Sequence, residues 1–212
     1  MFSWWDRWRP FTGVISIVLL VIGLLFTLGT PGSSDSDAKI VSYYAKHSHQ
    51  RQGWIGFFLT VAGILLFVVF VSVLRELLIT REGQPGRLTA LVYGAGMVSA
   101  AIWTIGLLTH AGPAITADDT KRYHVDPNAY RLLGDTTYVT AVAAVMIAAL
   151  VVWGTSRIAL RSGLLPRWYA QLGILVGVVQ LFAFVFFPIL VWAAWVILTS
   201  IFLTFRRPAT TT

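Results

Sequence analysis

The sequence predicts an all-α protein, a polytopic transmembrane bundle of six helices with short helical segments in the outer loops. Three observations predict it. Of 212 residues, 57% are hydrophobic and 12% charged, with a mean hydropathy of +0.74; soluble domains carry about 45–50% apolar and 25% charged residues. The charges stand in clusters that leave five long uncharged windows. Lys and Arg are shared unequally between the loops those windows define. These features exclude a soluble globular domain, a disordered chain and a disulfide-rich secreted module. With no Cys there is also no disulfide framework, thiolate metal site or Cys nucleophile.

An ionised side chain at the bilayer centre costs at least about 2.5–3.5 kcal/mol, so spans lie between charges. The windows are Pro10 to Ser34, Gln52 to Leu74, Leu88 to Ala117, Thr136 to Ser156 and Trp168 to Phe205. A hydrocarbon core of about 30 Å takes roughly 20 helical residues. The first four windows therefore hold one span each, and the last, of 38 residues, holds two. The spans fall at about 11–29, 53–74, 88–110, 136–157, 168–187 and 189–205, in one membrane domain over 1–212. The break in the last window is placed at Pro188, which removes a backbone donor and disfavours helix in Phe187. No polar residue marks that turn, so it must sit at the interface or be covered by protein. The first span reads as retained: Phe11 to Leu28 is too long for a signal-peptide core, and Thr30 to Ser34 offers no Ala-x-Ala cleavage site.

Six spans put both termini on one side. That side carries ten Lys and Arg against three Asp and Glu, and the other side six of each. The positive-inside rule makes the ten-cation side cytoplasmic, with the N- and C-termini on the inner face of the cell (plasma) membrane. Five spans would leave Arg206 and Arg207 outside, which disfavours that count. Topology thus accounts for the net charge of +7, and no nucleic-acid partner is needed. Trp4, Trp5, Trp8, Trp54 and Trp168 fall at span ends, where an aromatic belt belongs.

The outer loops run about Thr30 to Gln52 and Ala111 to Asp135. In the first, Ser34-x-x-Asp37 resembles a capping box, and Ile40, Val41, Tyr44 and Ala45 follow at helical spacing. They predict a short helix over Ala38 to His49 lying on the membrane. In the second, Asp126 suits an N-cap and Pro127 the first turn, so the fourth helix starts before the bilayer, near Asn128, despite Gly134.

Two stretches carry a likeness: Thr30-Pro31-Gly32-Ser33-Ser34-Asp35 leading into Ala38-Lys39-Ile40-Val41-Ser42-Tyr43-Tyr44, and Ser162-Gly163-Leu164-Leu165-Pro166-Arg167-Trp168. On these residues the chain resembles a family of uncharacterised six-span integral membrane proteins common in actinobacteria, a domain of unknown function. The resemblance covers nearly the whole chain and implies fold and topology. It assigns no catalytic residue, cofactor or substrate.

All four histidines, His47, His49, His110 and His124, fall on the predicted outer side, with Asp118, Asp119, Asp126 and Asp135. Imidazole and carboxylate suit zinc, copper or non-haem iron, which makes His110, His124, Asp118 and Asp119 candidate metal ligands. The alternative is that histidine is simply tolerated in interfacial loops. His47 and His49 are two apart and do not share a helical face. Asp135, beside Thr136, Thr137 and Tyr138, fits either a proton or cation site or an i,i+4 partner of Arg131.

Gln180 lies near mid-depth and needs a partner, in an interhelical hydrogen bond or on a ligand's polar group. Gly173-x-x-x-Gly177, Gly94-x-Gly96 and Ala95-x-x-x-Ser99 let helices approach closely, within a protomer or between protomers of a homo-oligomer. No span holds a lysine for a retinal Schiff base, and Gly-x-Ser-x-Gly, His-Glu-x-x-His and P-loop motifs are missing. Nor is there a mid-membrane histidine pair for haem or an Arg-rich voltage sensor.

Two functional readings follow. The first is a non-enzymatic protein surrounded by membrane lipids that binds or transports a lipid or other hydrophobic small molecule, or holds a partner membrane protein, in an apolar pocket opening outward. Its candidate ligand-binding residues are Gln180, Trp103, Thr104, Tyr138 and Asp135. The second is an outer-face metal-dependent enzyme or ion-handling protein built on His110, His124 and the nearby aspartates.

Overall fold

The computed structural model describes residues 8–120 and 124–205. A 3-10 turn at Arg9–Phe11 leads into α1 (Thr12–Leu25), followed by α2 (Asp37–Tyr44), α3 (His47–Glu82), α4 (Arg87–Asp119), α5 (Pro127–Ser162) and α6 (Arg167–Gln180). A second 3-10 turn, Ala183–Val185, precedes α7 (Phe187–Phe205), and the described residues contain no strand. Four helices, α3, α4, α5 and α7, are long and apolar enough to cross a membrane, and Arg9–Leu25 forms a shorter apolar helix.

The trunk is α3, α4 and α5, of 36, 33 and 36 residues. At 1.5 Å per residue each is about 50 Å long, well beyond the roughly 30 Å of hydrocarbon. The uncharged windows are shorter than these helices and do not mark where they end. At one end of the bundle stand Arg75, Arg81, Arg87, Arg157, Arg161 and Arg167, and at the other the helices continue into a packed cap. Both ends of the described chain lie at the arginine end. Trp8 meets Phe205 edge-on at 6.2 Å, Arg9 pairs with Glu76 at 2.9 Å, and Ser200 donates to the Pro10 carbonyl while accepting from the Val14 amide at 3.2 Å.

The helix boundaries have local causes. Asp126 Oδ1 accepts from the Asn128 amide at 2.9 Å with Pro127 in the first turn, so α5 begins where the sequence predicts. Gly163 ends that helix at φ +66°, a conformation that favours glycine. Gly86 has no side chain with which to cap α4; Glu82 does it instead, accepting from the amides of Leu88 (2.8 Å) and Thr89 (2.7 Å) and from the Thr89 hydroxyl.

The cap differs from expectation in three ways. Ser36, not Ser34, caps α2, accepting from Lys39 at 3.4 Å, while Asp35 takes the Gly32 amide and the Lys39 ammonium, both at 2.8 Å. The predicted Ala38 to His49 helix breaks at Ala45 and Lys46, and His47 opens the long α3. Arg131 does not pair with Asp135. It reaches Asp37 at 2.7 Å and the carbonyls of Ser33 and Asp35 at 2.9 Å, because a guanidinium fork is best satisfied where several acceptors converge. Beneath these contacts Ile40, Tyr44, Ala114 and Val125 form a small core of their own.

The break in the last window also lies elsewhere. α6 stops at Gln180, and Pro188 sits in the first turn of α7, where a missing N–H costs nothing. The turn itself, 181–186, is apolar and exposed: Phe184 and Val185 are 59% and 62% accessible. Its backbone is satisfied by short-range bonds such as Leu181 N–H to Val178 O (3.1 Å) and Phe186 N–H to Ala183 O (3.1 Å), and the Tyr138 hydroxyl donates to the Phe184 carbonyl. The turn has no polar side chain of its own to supply partners. Phe186 holds φ +65°, which strains any residue with a Cβ.

Candidate functional site

A cavity of about 360 Å³ occupies the cap half of the bundle, between α1, α3, α4, α5 and α7. On α4 it is lined by Trp103, Gly106, His110 and Ala114, on α3 by His49, Gly53, Phe57 and Thr60; both series follow the i, i+3/i+4, i+7 spacing of one helical face. Tyr43, Tyr44 and His49 close over its cap end. The lining is most exposed on a lateral side. Val21 and Leu24 of α1, Phe186 of the turn and Leu190 of α7 line the cavity and are also 47, 53, 52 and 56% exposed. The mouth lies between α1 and α7, on the apolar flank.

Among the described residues no Asp, Glu, Lys or Arg lines this space. Most of its polar side chains are already engaged: Thr60 donates to Gly56 O at 2.8 Å, and Thr137 shares a 2.9 Å bond with Thr109. His49 stacks on Tyr43 with centroids 3.8 Å apart and places Nδ1 2.8 Å from the Tyr43 carbonyl. A carbonyl only accepts, so Nδ1–H is the donor of this bond. Burial pushes the phenols of Tyr43 and Tyr44 above their ordinary pKa, so both stay protonated at neutral pH. Trp103, stacked on Trp192 at 6.2 Å, holds a buried indole N–H with no partner among the described residues. His110, seven residues on and about 10 Å along the same helix face, makes no hydrogen bond with them either. The surface is a charge-free, aromatic container with two unengaged polar groups on one wall.

A family described as a domain of unknown function, DUF4386, matches residues 11–209. The chain belongs to the DUF4386 family. No curated protein matches it, and no solved structure does.

In this DUF4386 chain, Trp103 and Tyr138 of the sequence-predicted ligand residues line the cavity, and Thr104, Asp135 and Gln180 do not. Thr104 donates to Ala100 O at 2.9 Å on its own helix, and Asp135 is exposed. Gln180 is fully buried, yet neither amide atom has a partner among the described residues. The candidate metal ligands are dispersed: His110 lines the cavity, His124 is exposed between α4 and α5, Asp119 ends α4, and Asp118 accepts from the Trp54 indole at 3.1 Å. His110 and Asp118, eight residues apart on one helix, are about 12 Å apart along its axis, far beyond the reach of one ion. Among the described residues no three His, Asp or Glu side chains gather closely enough to hold a metal. The sequence places His49 on the outer side but not over a cavity, because that role, like the role of Val21, Leu24 and Leu190 at the mouth, comes from helix packing; the one available signal was Gly53 and Gly56 on the face that His49 begins.

Proposed function

We propose that this protein is a six-span plasma-membrane protein, arginine end in the cytoplasm, that takes an uncharged lipid or other hydrophobic small molecule from the bilayer into the cavity through the mouth between α1 and α7. One observation carries the reading: the cavity has no charged lining residue among the described residues and opens on exposed aliphatic and aromatic side chains. Its volume falls within the roughly 300–1,000 Å³ of small-molecule sites. A charged ligand would be desolvated there without a counter-ion, at a cost of several kcal/mol, whereas an ester, ketone or hydroxyl oxygen can accept from Trp103 Nε1. Even span number is supported by the contacts that bring Trp8 and Pro10 beside Phe205 and Ser200. The arginine excess at that end supports its cytoplasmic placement.

Binding of a pyrene-labelled monoacylglycerol to purified protein in mild detergent tests this. Saturable binding that Leu190→Trp weakens about tenfold or more, with thermal stability preserved, is expected of a plugged mouth. Non-saturable binding, or saturable binding unchanged by Leu190→Trp and Val21→Trp, would overturn it.

A further inference from the structure

A second apolar groove lies on the opposite half of the molecule, at the arginine end. It runs between α4, α5 and α6, encloses about 440 Å³, and is walled by Leu91, Leu150, Ile174 and Val178 with Trp153 among them. The Trp153 indole donates to the Ile174 carbonyl at 3.0 Å, so the ring is fixed and its N–H already used. Leu91, Ile174 and Val178 are 44, 38 and 43% exposed, so the groove faces the membrane. One charged residue lines it: Arg157, one turn beyond Trp153 towards the arginine end.

Arg157 is exposed and makes no ion pair or hydrogen bond with a described residue. Arg87, beside the groove residue Leu88, is in the same position. The described acids of this end are engaged: Glu76 holds Arg9, and Glu82 caps α4. The groove therefore presents an aliphatic channel that ends in positive charge with no counter-ion among the described residues. No free carboxylate stands among the described residues there to receive a choline or ethanolamine.

We propose that this groove binds an anionic phospholipid, with an acyl chain along Leu91, Leu150, Ile174 and Val178 and the headgroup phosphate on the Arg157 guanidinium. A guanidinium fork matches two phosphate oxygens, and basic pockets between membrane helices hold anionic headgroups in this way. The site is separate from the cavity, lies at the other end of the bundle, and selects charge where the cavity excludes it.

The test is native mass spectrometry of the full chain titrated with dioleoyl phosphatidylglycerol and, in parallel, dioleoyl phosphatidylcholine. Wild type is expected to retain phosphatidylglycerol about fivefold more tightly, as one well-placed cation provides. Arg157→Gln should bring the two lipids within about twofold of each other, and Arg157→Lys should keep part of the preference. Leu91→Trp, which fills the channel without altering charge, should weaken both lipids. Equal retention of the two lipids by wild type, or a preference that survives Arg157→Gln, would overturn the proposal. Leu190→Trp at the cavity mouth should leave these values unchanged, which keeps this result distinct from that of the cavity.

Discussion

Helices α1 and α7 meet at one end and part at the other, and the two ends differ in the size of the side chains between them. At the arginine end Ser200 bridges the Pro10 carbonyl of the 3-10 turn and the Val14 amide of α1, so the helices touch. At the cap end the facing residues are Val21, Leu24, Ile189, Leu190 and Trp192, which hold the helices apart and line a cavity they do not fill. The same contrast appears along α6. Gly173 lies so close to α5 that a Cβ would stand 2.1 Å from Ser156 Oγ and 3.3 Å from Trp195 Nε1. Without a hydrophobic force between helices in lipid, contact follows small residues, and a void follows where bulky ones replace them.

The largest effect should come from removing the closest approach. Gly173→Leu pushes α6 off α5 and α7; overpacking of this kind costs about 1–3 kcal/mol or more. We expect a large drop in thermal stability, or aggregation on detergent extraction, while Gly94→Leu, whose Cβ meets nothing within 4 Å, extracts normally. Ser200→Ala comes next. The links from Ser200 to the Pro10 carbonyl and the Val14 amide are lost, at a cost of about 1 kcal/mol each, seen as a lower melting temperature and faster proteolysis near Pro10.

Gln180→Leu should act in the opposite direction. It removes two buried polar atoms that have no partner among the described residues, and should raise stability by about 1 kcal/mol with lipid binding unchanged. A loss of binding in that variant would move Gln180 from packing to function. The smallest effect belongs to the cap. Lys39 and the Gly32 amide hold Asp35 below the usual carboxylate pKa, so its stabilisation is complete above the unfolded value of about 3.9 and is lost as pH falls through the lower folded value. Hydrogen exchange of α2 should be flat from pH 8 to about 5 and quicken relative to intrinsic rates below about 4, and Asp35→Asn should remove that acid dependence.

Much of the helical layout was legible because charges fence the hydrocarbon: the windows at Gln52 to Leu74, Leu88 to Ala117 and Thr136 to Ser156 each lie within or almost wholly within one long helix. Asp126-Pro127 was legible because an N-cap and a first-turn proline act locally. What escaped depends on distant residues. α6 ends at Gln180 with no polar signal, and its turn finds a hydrogen bond on Tyr138, 46 positions away from Phe184. Arg131 chose Asp37, 94 positions away, over Asp135 in the next turn. The cavity itself is space left by packing, and no residue type encodes it; only Trp103 and Tyr138 among the candidate ligand residues proved to line it.

The most direct test of the central claim is native mass spectrometry of the protein released from its own membrane, wild type beside Leu190→Trp and Trp103→Phe. The account predicts a mass increment of an uncharged lipid or hydrophobic metabolite on wild type, lost when the mouth is plugged by Leu190→Trp and reduced when Trp103→Phe removes the indole donor. An increment equally present on all three proteins, or one that identifies a charged ligand insensitive to Leu190→Trp, would contradict it.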